Sequence, residues 1–143
     1  MNTKKLIGYT TGVFDLFHVG HLKVLENAKS QCDYLIVGVT TDELCWEVKK
    51  KQTIIPFEDR IQIVEGIKWV DKVVPQSTMD KFEAWNRYRF SKMFVGDDWK
   101  GSDKWNQLEK EFNLIGVDII YFPYTQHVST SKLRQRLKYE NES

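Results

Sequence analysis

Short, nearly continuous apolar runs alternate with longer amphipathic ones along this chain, and that alternation restricts it to parallel strands joined by helical crossovers. The β-type runs are Lys5–Thr10, Tyr34–Val39, Lys72–Val74, Met93–Val95 and Asp118–Phe122. Several are apolar at consecutive positions, as strands covered on both faces should be. Between them Leu22, Leu25 and Ala28 recur at helical spacing, as do Leu108, Phe112 and Ile115, and each stripe reads as core. Pro56 followed by Phe57-Glu58-Asp59-Arg60 marks a helix start with acidic first-turn residues. Gly116 reads as a helix stop, and Ser129-Thr130-Ser131 as the N-cap cluster of a last helix running through Lys138. The predicted order is β-α-β-α-β-α-β-α-β-α: one doubly wound α/β domain over residues 1–143 with a five-stranded parallel sheet.

A chain of 143 residues buries a sizeable core without disulfides or metals. With a net charge of +1, nothing global draws it to nucleic acid or to an anionic membrane, so affinity for polyanions must come from local clusters. Neither is an expected partner. Cys32 and Cys45 lack metal-ligand spacing and read as buried or incidental thiols in a reducing, cytoplasmic setting. The apolar run after Lys4-Lys5 is too short for a signal peptide, and no stretch approaches the ~20 apolar residues of a membrane span.

Ligands of open parallel sheets bind beyond the carboxyl ends of the strands, where the strand order reverses. Thr10-Thr11-Gly12-Val13-Phe14-Asp15-Leu16-Phe17-His18-Val19-Gly20-His21 follows the first strand and precedes a helical run. Paired imidazoles suit the stabilisation of charge building up on a phosphate. Gly12 and Gly20 would let backbone approach a bulky anion, and the helix starting near Gly20 or His21 would add oriented N–H groups. The lysines Lys49-Lys50-Lys51 follow the second strand, Gly96-Asp97-Asp98-Trp99 the fourth, and the segment from Tyr124 to Ser131 the fifth. Four segments are thus predicted to converge on one crevice.

These motifs resemble the small cytidylyltransferases of the HxGH nucleotidyltransferase superfamily, and among them the bacterial glycerol-3-phosphate cytidylyltransferases. The residues that carry the likeness are Gly12, Phe14-Asp15-Leu16, His18, Gly20-His21, Asp33-Tyr34-Leu35, Thr41-Asp42-Glu43, Glu58, Arg60, Trp69-Val70-Asp71, Gly96-Asp97-Asp98-Trp99 and Ser129-Thr130. The resemblance implies a Rossmann-like domain that catalyses attack of a substrate phosphate on the α-phosphate of CTP, with Mg2+ as cofactor and pyrophosphate as the leaving product. It assigns His18 and His21 to the α-phosphate, and Lys49 and Lys51 to a mobile catalytic loop, although spacing from Thr41 favours Lys50 instead. Thr11, Gly12, Val13, Phe14, Asp15 and Gly20 fall beside the nucleotide, with Asp15 ordering the turn or the metal site. Arg60 and Asp98 join them, while Thr125, Ser129, Thr130 and Ser131 fall at the β- and γ-phosphates. Lys49, Lys68, Lys81, Trp99 and Tyr124 fall on the acceptor side. The attacking phosphate is already ionised at pH 7, so no strong base is required.

The last motif departs from the family pattern, because Tyr124 stands where an arginine is usual and His127 where a glycine is usual. Lys68 likewise replaces an arginine, and a point charge does not reproduce a bidentate fork. The resemblance also implies a homodimer that pairs through Trp69-Val70-Asp71. The main expectation is a cytidylyltransferase for a small phosphorylated acceptor, glycerol 3-phosphate or a related capsule or teichoic-acid precursor. The alternatives are an adenylyltransferase using ATP and a non-catalytic nucleotide-binding module.

Overall fold

The computed structural model describes residues 5–97, 100–123 and 133–138. Five strands, β1 (Ile7–Gly12), β2 (Tyr34–Thr40), β3 (Lys72–Gln76), β4 (Lys92–Gly96) and β5 (Asp118–Phe122), form one sheet in the order β3-β2-β1-β4-β5. All four pairings are parallel. The helices are α1 (Val19–Ser30), α2 (Asp42–Lys49), α3 (Phe57–Glu65), α4 (Lys81–Tyr88) and α5 (Asp103–Leu114), and residues 133–138 are also helical. The chain steps outward from β1 to β3 and then crosses back to β4, so the order reverses between β1 and β4.

Side chains on successive strand residues point to opposite faces, and two cores result. Leu35, Val37 and Val39 of β2 and Phe94 of β4 pack with Leu25 and Ala28 of α1 and Val64 of α3. Ile36 and Met93, offset by one residue, pack on the other face with Trp105 and Phe112 of α5 and the partly buried Phe82 and Trp85 of α4. Full burial of one such leucine or phenylalanine stabilises by roughly 1.5–3 kcal/mol, so the layers are held by many modest contributions. The Asp71 carboxylate adds a polar tie, accepting from Leu35 N–H at 2.8 Å and from Lys29 Nζ.

The doubly wound reading holds, with corrections at the element ends. The first strand is Ile7–Gly12 rather than Lys5–Thr10, because Thr11 and Gly12 continue the ladder opposite Gly38 and Val39. The third extends to Gln76 and includes Pro75, tolerated because β3 is an edge strand. Ile115 does not continue the buried stripe of α5: it follows the last helical residue and is exposed, while Gly116 stops the helix with φ 82°. Two helices, not one, join β2 to β3. Thr41 caps the missed α2, accepting from Leu44 N–H at 3.1 Å.

Candidate active site at the carboxyl edge of the sheet

The turn after β1 is built around strained backbone. Phe14 and Leu16 occupy the left-handed region at φ 55° and 49°, costly for residues with a Cβ. Phe14 is buried and folds its ring back over Gly12, where a Cβ would meet Phe14 Cε2 at 2.9 Å. Gly12 is therefore explained by room for this ring.

His18 is the N-cap of α1, with extended backbone. Its Nδ1 accepts from Gly20 N–H at 3.0 Å, and its own N–H donates to His21 Nδ1 at 3.2 Å. The two imidazoles form a reciprocal capping box and stack with centroids 4.0 Å apart. Since each Nδ1 accepts from a backbone N–H, each neutral ring carries its proton on Nε2. Burial, helped by the neighbouring His18 and opposed by Asp15, lowers the His21 pKa to about 4. At neutral pH His21 is thus an uncharged hydrogen-bond donor.

Beneath the turn lies Asp15, 2% exposed. Its carboxylate accepts from the Ile54 and Ile55 N–H groups, both at 2.9 Å, and pairs with Arg134. Arg60 is 0% exposed. It donates through Nε to the Ile55 carbonyl at 2.8 Å, through one terminal nitrogen to the Val13 and Thr40 carbonyls at 2.6 and 2.8 Å, and through the other to Asp42. Burial raises the Asp42 carboxyl, but the Thr53 hydroxyl, the Phe57 N–H and the Arg60 guanidinium outweigh it and hold the group below the usual carboxylate range. One guanidinium thereby joins the ends of β1 and β2 to the segment preceding α3.

The lysines do not share one loop as predicted. Lys49 closes α2, and Lys50 caps it at φ 54° with its N–H on the Trp46 carbonyl. Lys51 alone begins the connection to Thr53, whose hydroxyl binds Asp42 at 2.7 Å. All three side chains are exposed. Lys81 opens α4 and lines a pocket with Tyr9, Gln76 and Thr78 at the end of β3. Burial, then the neighbouring Lys104, lowers its pKa to about 8. Lys68 is exposed, with Nζ 4.5 Å from the Trp69 ring centroid. The predicted contacts Asp98, Trp99, Tyr124, Thr125, Ser129, Thr130 and Ser131, together with His127, lie outside the described residues.

The cytidylyltransferase-like family matches residues 9–136, from within β1 to beyond β5. The chain belongs to that family. It is 40% identical over 133 residues to glycerol-3-phosphate cytidylyltransferase of Bacillus spizizenii, covering 92% of this chain and 95% of that protein. It is also 34% identical to FAD synthase of Thermococcus onnurineus, covering 94% and 92% of the two chains. In fold it is similar to the lipopolysaccharide core biosynthesis protein of Thermoplasma volcanium, with TM-score 0.72, 22% identity and coverage of 87% and 100%.

For a cytidylyltransferase-like chain, the residues sort into those at the edge and those beneath it. His18, His21 and Lys81 stand at or near strand ends, with Thr11 and Gly12 closing β1 and Gly20 buried in the first turn of α1. Arg60, placed by resemblance at the nucleotide, is instead enclosed by protein acceptors, and Asp15 is likewise enclosed by protein donors. Among the described residues no group of three or more His, Cys, Asp or Glu side chains is arranged to hold a metal. No described helix is long and apolar enough to cross a membrane. The sequence reading missed Asp42 and Arg134 as ties. Asp42 had a local signal, following a capping threonine, whereas Arg134 is 119 residues from its partner.

Proposed function

We propose that this chain transfers CMP from CTP to glycerol 3-phosphate or a closely similar small phosphorylated acceptor. The supporting observation is the stacked His18–His21 pair, both rings locked through Nδ1, at the point of a cytidylyltransferase-like sheet where strand order reverses. Glycerol 3-phosphate is supported by the 40% identity to a glycerol-3-phosphate cytidylyltransferase. In the reaction an acceptor phosphate oxygen forms a bond to Pα of CTP while the bond from Pα to the bridging oxygen of the β-phosphate breaks. Pyrophosphate leaves with that electron pair, and CDP-glycerol is the other product.

The protein's contribution is positioning and charge stabilisation. The Nε2–H groups of His18 and His21 donate to the nonbridging α-phosphate oxygens as negative charge concentrates there. Lys49 and Lys51 offset the repulsion between triphosphate and acceptor, and Lys81 receives the acceptor at the β3 end. Thr125, Ser129, Thr130 and Ser131 hold the outer phosphates, with Asp98, Trp99 and Tyr124 around cytosine and acceptor. Val13 and Phe14 supply backbone beside the nucleotide, and Lys68 with Trp69-Val70-Asp71 contributes to a homodimer contact. Mg2+ would be held mainly by the triphosphate, since Asp15 already accepts from two amides and Arg134, and would supply neutralisation of the phosphate charge.

Pyrophosphate release tests this reading, with CTP and ATP each offered against a panel of phosphomonoesters. The expected outcome is fastest release from CTP with glycerol 3-phosphate. Absence of release with every acceptor overturns the enzyme assignment. ATP turnover above CTP turnover favours the second reading, which the 34% identity to an FAD synthase supports.

A further inference from the structure

In the described part of the C-terminal helix, Arg134 reaches back to the His18–His21 turn. Arg134 pairs with the Asp15 carboxylate beneath that turn and donates to the Gln52 carbonyl at 3.2 Å, directly after Lys49-Lys50-Lys51. Asp15 also holds the Ile54 and Ile55 amides at 2.9 Å. The histidine turn, the end of the lysine segment and the C-terminal helix therefore meet at one buried carboxylate and one guanidinium. The Asp15 side chain is 2% exposed and that of Arg134 30% exposed, so the carboxylate is the buried member of the pair.

We propose that Arg134 is a positioning residue of the transfer reaction. It fixes the lysine segment to the His18–His21 turn whenever the C-terminal helix is seated. This rests on the nucleotidyl-transfer reading above. The first residue of α2 is tied to the histidine turn through Asp42, Arg60 and the Val13 carbonyl, whereas the exposed lysines stand at and beyond its far end. There Asp15 holds Ile54 and Ile55, and Arg134 adds the contact to Gln52, directly after Lys51. Arg134 is assigned this role through its contacts with Asp15 and Gln52. Its loss should lower turnover rather than nucleotide affinity, as a small misplacement of charged groups costs up to about 10²-fold in rate.

The test compares wild type, Arg134→Gln and Arg134→Lys by steady-state pyrophosphate release, thermal unfolding and amide exchange. Both Arg134 contacts run through one terminal nitrogen, so the lysine variant keeps a charge against Asp15 but, with its shorter stem, reaches Asp15 and Gln52 less well. Arg134→Gln is expected to lose roughly tenfold to 10²-fold in kcat with KM for CTP within about threefold. Arg134→Lys should melt near wild type with an intermediate kcat. Ile54 and Ile55 amides should exchange at least about tenfold faster in Arg134→Gln. Wild-type kcat in both folded variants overturns the proposal, as does wild-type kcat in Arg134→Lys when Arg134→Gln fails to fold. A loss confined to KM overturns it too, making Arg134 a ligand contact. If wild type transfers nothing, the transfer reading has failed, and unchanged exchange at Ile54 and Ile55 separately shows that the clamp is wrong.

Discussion

His18 and His21 stack at 4.0 Å with their Nδ1 atoms occupied by the Gly20 and His18 backbone N–H groups, so one hydrogen-bond pattern both starts α1 and fixes the tautomer of each ring. Capping thus occupies Nδ1 of each ring and leaves Nε2 for the phosphate contact proposed above.

That division is separable by substitution. In His21→Asn the side-chain oxygen can take over the Nδ1 acceptor role, but no group stands at Nε2. We expect His21→Asn to unfold within about 1 kcal/mol of wild type while kcat falls about 10²-fold or more. His21→Ala should show the same loss of rate plus a destabilisation of about 1 kcal/mol. Kinetics paired with urea unfolding checks this, and near-normal turnover in either variant removes the role assigned to Nε2.

Stability should decline on the acid side for a reason traceable to His21. The ring stays neutral in the folded chain down to about pH 4 but takes up a proton near its ordinary value of 6.5 when unfolded. The unfolded state then binds more protons between these values. The contribution is complete above pH 6.5 and is lost progressively as pH falls toward 4, by up to roughly 2 kcal/mol. Unfolding curves at pH 8, 6 and 5 should show this slope in wild type and a shallower one in His21→Asn.

Lys81 predicts a pH effect of the opposite sense on acceptor binding. With its pKa lowered to about 8, the free protein carries the cation below that pH and loses it above. The acceptor KM should rise as pH passes through 8, with little change in KM for CTP. Lys81→Met should raise acceptor KM at pH 7 and flatten the profile; an unchanged profile in that variant would place the acceptor phosphate elsewhere.

Arg60 predicts a loss of stability that charge alone does not repair. Arg60→Met removes the donor to the Val13, Thr40 and Ile55 carbonyls, while Asp42 keeps the Thr53 hydroxyl and the Phe57 N–H, and should cost roughly 3–5 kcal/mol. Arg60→Lys should recover less than half, because one ammonium cannot span acceptors on three segments. Chemical denaturation measures both.

The sequence by itself determined the alternation of strands and helices, the five-stranded sheet and the H-x-G-H turn as the candidate site, because periodicity, capping residues and motif spacing are local signals. It placed His18 and His21 at a strand-to-helix turn, with the lysines and Lys81 after other strands. What only the tertiary structure decided is how these parts are tied together. Arg60 and Asp15, legible as site residues, proved to be enclosed by partners 5 to 119 residues away. The protonation of His21 also depended on burial, which no spacing encodes. Such properties arise from desolvation and from contacts between segments remote in the chain. They come into being only when β1, β2 and the C-terminal helix meet.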